Sequence, residues 1–145
     1  MTETPRLPGL ALAEADWLVA AALRVGAESE FPPLAVAVVD VTGSVIVLRR
    51  ADGGMPMTSR IAVAKARTAL LTLRASGVVE LPGAITGSIQ HLYGGDFVPY
   101  AGGVLVTENG LILGAAGASG AHAKEDELAV RTAVEQWHED RSHPA

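Results

Sequence analysis

The 145-residue sequence contains no cysteine. Disulfides, thiolate nucleophiles and Cys-ligated metals or clusters are therefore excluded from its chemistry. Aromatic residues are almost as scarce: two each of Trp, Tyr and Phe, too few for a platform on which successive bases stack. Charge is thin as well. Asp, Glu, Lys and Arg make up 19% of the chain, and the net charge is −5. No basic cluster exceeds the pair Arg49-Arg50, so the concentrated positive footprint of a nucleic-acid binder is missing. The apolar run 34–39 is far shorter than the roughly 20 residues that cross a bilayer, and Met1-Thr2-Glu3-Thr4-Pro5-Arg6 lacks the layout of a signal peptide. The expected location is the cytoplasm, with neither nucleic acid nor membrane as a partner.

What remains is an apolar, glycine-rich chain: 49% hydrophobic residues and 16 glycines. Its length is that of one common domain, so a single domain over residues 1–145 is expected, with its core over about 10–140. A body this small leaves much of its surface in water, and surplus apolar side chains there need cover. Another copy of the chain is the simplest cover, which predicts a homo-oligomer.

Periodicity predicts the elements. Leu12, Ala15, Leu18, Val19, Ala22 and Val25 have the one-face spacing of a helix over 10–30, stopped by Pro32-Pro33. Residues 34–39 read as a strand buried on both faces, followed by turn chemistry at Asp40-Val41-Thr42-Gly43 and a return strand over 44–50. A helix apolar almost all round follows over 59–75, with Thr58 as its N-cap and Gly77 as its stop. Residues 80–92 make a short, poor helix weakened by Gly83 and Gly87, and 94–100 a loop. Strands over 103–107 and 111–118 form a second hairpin around Asn109-Gly110, and a last helix covers 124–140. The class is α+β: a largely antiparallel sheet built from two hairpins and flanked by helices.

Several stretches in this order carry a resemblance. They are Ala37-Val38-Val39-Asp40 with Gly43; Arg50-Ala51-Asp52-Gly53; and Ser59-Arg60-Ile61-Ala62 leading to Lys65-Ala66 and Thr68-Ala69. Gly102-Gly103 follows, and then the run 114–120 ahead of Asp126. Together, over residues from about 10 to 138, the chain resembles the haem-binding and haem-degrading GlcG/HbpS-like family, which includes the C-terminal domain of PduO-type proteins. The resemblance implies a profilin-like antiparallel sheet, assembly into dimers or larger oligomers, and haem as a possible ligand. It also implies an iron-ligating histidine on the first helix, where this sequence has no His, Met, Tyr or Lys.

The candidate chemical residues each carry a bland reading beside the functional one. Lys65, in an otherwise apolar helix, is a candidate base, Schiff-base nucleophile or anion clamp; otherwise it snorkels or pairs with a carboxylate such as Asp40. The run 114–120, with Gly117, Ser119 and Gly120, leads into the last helix, where small residues and a helix N-terminus admit an anionic ligand, or simply allow tight packing. Glu125 and Asp126 then read as first-turn residues that complement the helix dipole. It matches neither G-x-G-x-x-G nor G-x-S-x-G. His91 and His122 are candidate general bases or haem ligands, or else surface residues. His138 and His143 miss the H-E-x-x-H spacing by one residue and read as solvated tail, so no metal site is expected. Tyr93, Asp96 and Tyr100 surround Gly94-Gly95 and are the preferred rim of a pocket, or a loop pinned by its own side chains. Arg50 and Arg67 are anion clamps if they face a cleft and form salt bridges between subunits otherwise, the latter favoured for Arg67.

Two functions follow. One is a small-ligand-binding protein, with haem or a related organic ligand first. The other is a cofactorless isomerase, lyase or cyclase acting on a small carboxylate or carbonyl compound. There Lys65, His91 or His122 would be acid or base, and Arg50 with the 117–120 turn would hold the anion.

Overall fold

The computed structural model describes residues 3–142; His143 lies outside them. The elements in chain order are α1 (Leu12–Glu28), β1 (Ala35–Val39), β2 (Val45–Arg50), α2 (Thr58–Thr72), a 3-10 turn (Ser76–Val78), α3 (Gly83–Leu92), β3 (Gly103–Glu108), β4 (Leu111–Ser119) and α4 (Ala123–Ser142). The two hairpins join into one antiparallel sheet of order β2-β1-β4-β3. The expected α+β class and order of elements are thus observed. Among the described residues no helix is long and apolar enough to cross a membrane.

The central strand β1 is buried along its whole length, and its alternation divides the core. Val36 and Val38 share one face with Val104, Val106, Ala116 and Ala118, under Leu18, Val19 and Ala22 of α1 and Val130, Ala133, Val134 and Trp137 of α4. The opposite face is made of Ala35, Ala37, Val39 and Ala115, under Ala62, Val63, Ala66 and Ala69 of α2. These small side chains bring α2 close enough to touch the sheet with its backbone. A Cβ at Gly117 would overlap the Ala62 carbonyl oxygen, and one at Gly103 the Lys65 carbonyl oxygen. This contact explains why the α2 sequence is apolar on more than one side.

Both hairpin turns follow their chemistry. Asp40 Oδ1 accepts from the Thr42 N–H at 2.8 Å, the Thr42 hydroxyl at 2.6 Å and the Ser44 N–H at 3.2 Å. Asn109 and Gly110 have φ of 52° and 79°, the positive pair of a type I′ turn. The ends of α2 differ from expectation. Met57 is its N-cap, and the Thr58 hydroxyl donates instead to the Met55 carbonyl at 2.6 Å. The helix stops at Leu73, which is left-handed with φ 55°, while the Leu73 and Arg74 N–H groups close on the Ala69 carbonyl. Gly77 serves packing instead, because a Cβ there would lie 2.7 Å from that of Ala101. The short helix α3 does form, yet none of its residues is buried.

Candidate functional site

Two neighbourhoods gather the polar side chains. The first is a cleft of about 470 Å³ on the outer side of α2, within the usual range for small-molecule sites. Its walls are the β1–β2 turn (Val41, Thr42, Gly43, Ser44), one flank of α2 (Arg67, Leu70, Leu71), and Tyr93 and Asp96 after α3. Arg67 holds these three segments together. Its Nε donates to the Gly43 carbonyl at 2.8 Å and its Nη1 to Asp96 Oδ1 at 3.0 Å. Nη2 has no partner among the described residues, and the side chain is one-third exposed at 33%. Arg67 is therefore both salt-bridged, to Asp96 of its own chain, and available to a ligand.

The loop that carries Asp96 is fixed from below. Thr68, fully buried, accepts from the Val98 N–H at 2.8 Å and donates to the Ala64 carbonyl at 2.8 Å. Gln90 donates to the Phe97 carbonyl at 3.2 Å. Tyr93 and Asp96, two of the three expected rim residues, reach the cleft wall. Tyr100 does not line it. Its ring is exposed, and its carbonyl accepts from the Ser76 hydroxyl, which in turn accepts from the Gly103 N–H at 2.9 Å.

The second neighbourhood is buried. Lys65 Nζ donates to Asp126 Oδ2 at 3.0 Å, with both side chains almost wholly inside. Asp126 Oδ1 accepts from the Ala121 N–H at 2.9 Å. Burial raises the Asp126 carboxyl above its ordinary pKa, against the opposing pull of the Ala121 N–H and of Lys65. The carboxylate partner of Lys65 is thus Asp126 rather than Asp40. Asp40 is engaged by its own turn, where the Thr42 hydroxyl above all holds its pKa below the usual value. Of the two first-turn acids of α4, Glu125 accepts from the His122 N–H at 3.2 Å at the helix start, whereas Asp126 turns inward.

The other candidates lie apart. His122 stands beside this pair, its carbonyl accepting from the Asp126 N–H at 2.8 Å, but its side chain is exposed. Ser119 ends β4 opposite Ala35 and is buried. Gly117 faces α2, and a Cβ at Gly120 would meet the Pro33 carbonyl. Both glycines answer a need for close packing. His91 is exposed in the last turn of α3. Arg50 ends β2, whose six residues separate it from the cleft turn by roughly 17 to 20 Å, and it lies 3.4 Å from the Ser59 hydroxyl. His138 is exposed but not merely solvated: its Nε2 lies 2.7 Å from the Thr107 carbonyl.

Sequence reasoning missed the cleft residues Val41, Thr42, Ser44, Leu70 and Leu71, which no motif marks. It also missed the inward turn of Asp126. The signal for that was available, since a lysine inside an apolar helix calls for a carboxylate.

Residues 10–135 match the family described as haem degrading protein HbpS-like. Among curated proteins, the corrinoid adenosyltransferase PduO of Salmonella typhimurium is 31% identical over 106 residues, 70% of this chain. The chain spans 31% of the length of that relative. The crystal structure of HbpS superposes with a TM-score of 0.80 at 26% identity, covering 92% of this chain and 94% of the other. That of the PduOC:heme complex gives 0.79 at 26% identity, covering 88% and 94%.

Proposed function

The chain belongs to the HbpS-like family, and from that premise we propose that it binds a small organic ligand, haem or a close relative, in the cleft beside Arg67. The observation that carries this reading is the pairing of Arg67 Nη2, which has no partner among the described residues, with the apolar side chains of Leu70, Leu71 and Tyr93 in one cleft. A guanidinium next to apolar walls suits a flat, hydrophobic molecule with a carboxylate, because the cation takes the carboxylate by charge-assisted hydrogen bonds. The solved haem complex of a similar domain supports haem as the first candidate.

The residues present fit that group in a particular way. α1 offers no iron ligand, and among the described residues Tyr93 is the only cleft-lining side chain of a type that ligates haem iron. Arg67 and Ser44 would hold the propionates and Tyr93 the iron. Bound there, haem would supply a ferric centre for redox chemistry.

The cofactorless-enzyme reading has less behind it. Lys65 and the backbone of His122 do meet around Asp126, but the Lys65 ammonium is buried and committed to that carboxylate. Arg50 and the exposed His91 lie outside this group. Twelve of the sixteen exposed large apolar side chains among the described residues fall within 45–100, which supports a homo-oligomer that covers this segment.

Haem titration with absorption spectroscopy tests the ligand. The expected result is a saturable one-to-one Soret change. Tyr93→Phe should remove the tyrosinate features, and Arg67→Met should weaken binding about tenfold or more, the loss of a charge-assisted contact. A non-saturable, broad spectrum that both variants share with the wild type would end the haem reading.

A further inference from the structure

The hydroxyl hydrogens on the β1–β2 wall of the Arg67 cleft are already committed. The Thr42 hydroxyl donates to Asp40 Oδ1 at 2.6 Å. Its 2.9 Å contact with Ser44 Oγ therefore has Ser44 as the donor. Ser44, a lining residue, keeps only lone pairs for a ligand. The N–H groups of Thr42, Gly43 and Ser44 also close on Asp40, at 2.8, 3.0 and 3.2 Å. None of these three residues has a hydrogen left to offer an anion.

The facing wall adds one group of each kind. Arginine carries donors only. With Arg67 Nε on the Gly43 carbonyl and Nη1 on Asp96 Oδ1, Nη2 is the nitrogen left for a ligand. Asp96 Oδ2 has no partner among the described residues, and a carboxylate oxygen can only accept. The Asp96 side chain is half exposed at the cleft wall. The Tyr93 hydroxyl can do either and selects nothing. The described side chains thus present one fixed donor, Arg67 Nη2, beside acceptors at Asp96 Oδ2 and Ser44 Oγ. Their charges cancel as well. A ligand that brings only a carboxylate gains Nη2 but lies against the Asp96 carboxylate, and like charges repel. It also leaves the two acceptors unpaired, which a site of this kind penalises.

We infer that the cleft selects carboxylates that also carry an N–H or ammonium donor close to the carboxylate, and that Asp96 sets this preference. The carboxylate sits on Arg67 Nη2 and the donor on Asp96 Oδ2 and Ser44 Oγ. The inference rests on the reading that the ligand occupies this cleft, and it ranks ligands within it. Leu70 and Leu71 require the remainder of the molecule to be apolar. An α-amino acid with a large apolar side chain has this chemistry. So does an open-chain tetrapyrrole, whose pyrrole N–H groups turn outward beside its propionates. Haem has the same propionates, but its nitrogens are all on iron. A propionate reaches a hydrogen of Ser44 only if that hydroxyl leaves Thr42.

Calorimetry on the full chain with two matched pairs tests this. L-phenylalanine is set against 3-phenylpropionate, which lacks only the ammonium, and biliverdin against haem. The N–H-bearing member of at least one pair should bind about tenfold more tightly, and that pair identifies the source. Asp96→Asn should reverse the order, costing the N–H-bearing ligand about tenfold while the plain carboxylate gains about threefold. A purely structural role would weaken both members together, and retained binding of the plain carboxylate shows that the variant is folded. Ser44→Ala should cost about threefold, for the N–H-bearing ligand alone. If no member of either pair binds, this inference and the cleft reading fall together. Equal binding within both pairs, still weakened by Arg67→Met, overturns the selection and leaves the cleft reading. A preference that Asp96→Asn does not change overturns the assignment to Asp96.

Discussion

On one side of the sheet α1 and α4 press Leu18, Val130, Val134 and Trp137 onto valines of β1 and β3. On the other side α2 rests on alanine and glycine. The first layer is thick and buries much apolar area per residue, and such burial supplies most of the favourable folding energy. The second is thin and gains less from burial. It relies instead on particular bonds: Lys65 to Asp126, Thr68 to the loop at Val98, and Arg67 to Gly43 and Asp96. Twelve of the sixteen exposed large apolar side chains among the described residues lie in the segment 45–100 that includes α2, together with a helix none of whose residues is buried. The molecule thus keeps its stability on one side of the sheet and its unsatisfied surface on the other.

The contrast can be broken first at its buried ion pair. Lys65→Met leaves the Asp126 carboxylate inside without its cation, and should cost about 3–5 kcal/mol in denaturant unfolding. A Lys65→Met/Asp126→Leu double variant should recover much of that loss. If the single variant is as stable as wild type, the thin side does not depend on specific bonds. On the thick side, Leu18→Ala should cost about 2–5 kcal/mol by loss of burial and the cavity left behind. Gly117→Ala comes next, at about 1–3 kcal/mol, because the added methyl group forces α2 off the sheet; a neutral effect would show that α2 can lift freely. Arg67→Met should cost less than about 1 kcal/mol in stability, as partly exposed pairs do, although it lowers ligand affinity.

The smallest effect is one of pH. The Asp126 pKa is raised above 3.8 by burial, so the folded chain takes up this proton at a higher pH than the unfolded chain does. Its contribution to stability is fully present below pH 3.8 and is lost as pH rises through the raised value. The stability of the wild type relative to Asp126→Asn should therefore improve as pH falls toward 3.8. A difference independent of pH would contradict the raised pKa.

Much of the fold could be read from the sequence because local and global preferences agree there. The Asn109-Gly110 turn, the double-sided apolar strand at 35–39 and the amphipathic α1 each admit one structure. The end of α2 was harder, since Leu73 takes a left-handed conformation that sequence rules reserve for glycine. The site was legible only in pieces. Tyr93, Asp96 and Lys65 stand out by type, but the cleft depends on three segments meeting over α2. Thr42, Ser44 and Leu71 have no periodicity or motif that reports such a meeting. Asp126 looked like a dipole-compensating residue because its sequence position fits that role equally well. Only packing turns it inward.

The strand order has one more consequence, for the making of the protein. β1 finds its inner neighbour in β4, about 80 residues further along the chain, and the inner edge of β1 stays open until the two meet. Pairing across so long a separation is intrinsically slow. During synthesis the β1–β2 hairpin emerges early and must wait, with one backbone edge unpaired, until almost the whole chain has left the ribosome. A polypeptide interrupted after α3 would hold that open edge permanently and should aggregate rather than persist as a folded fragment.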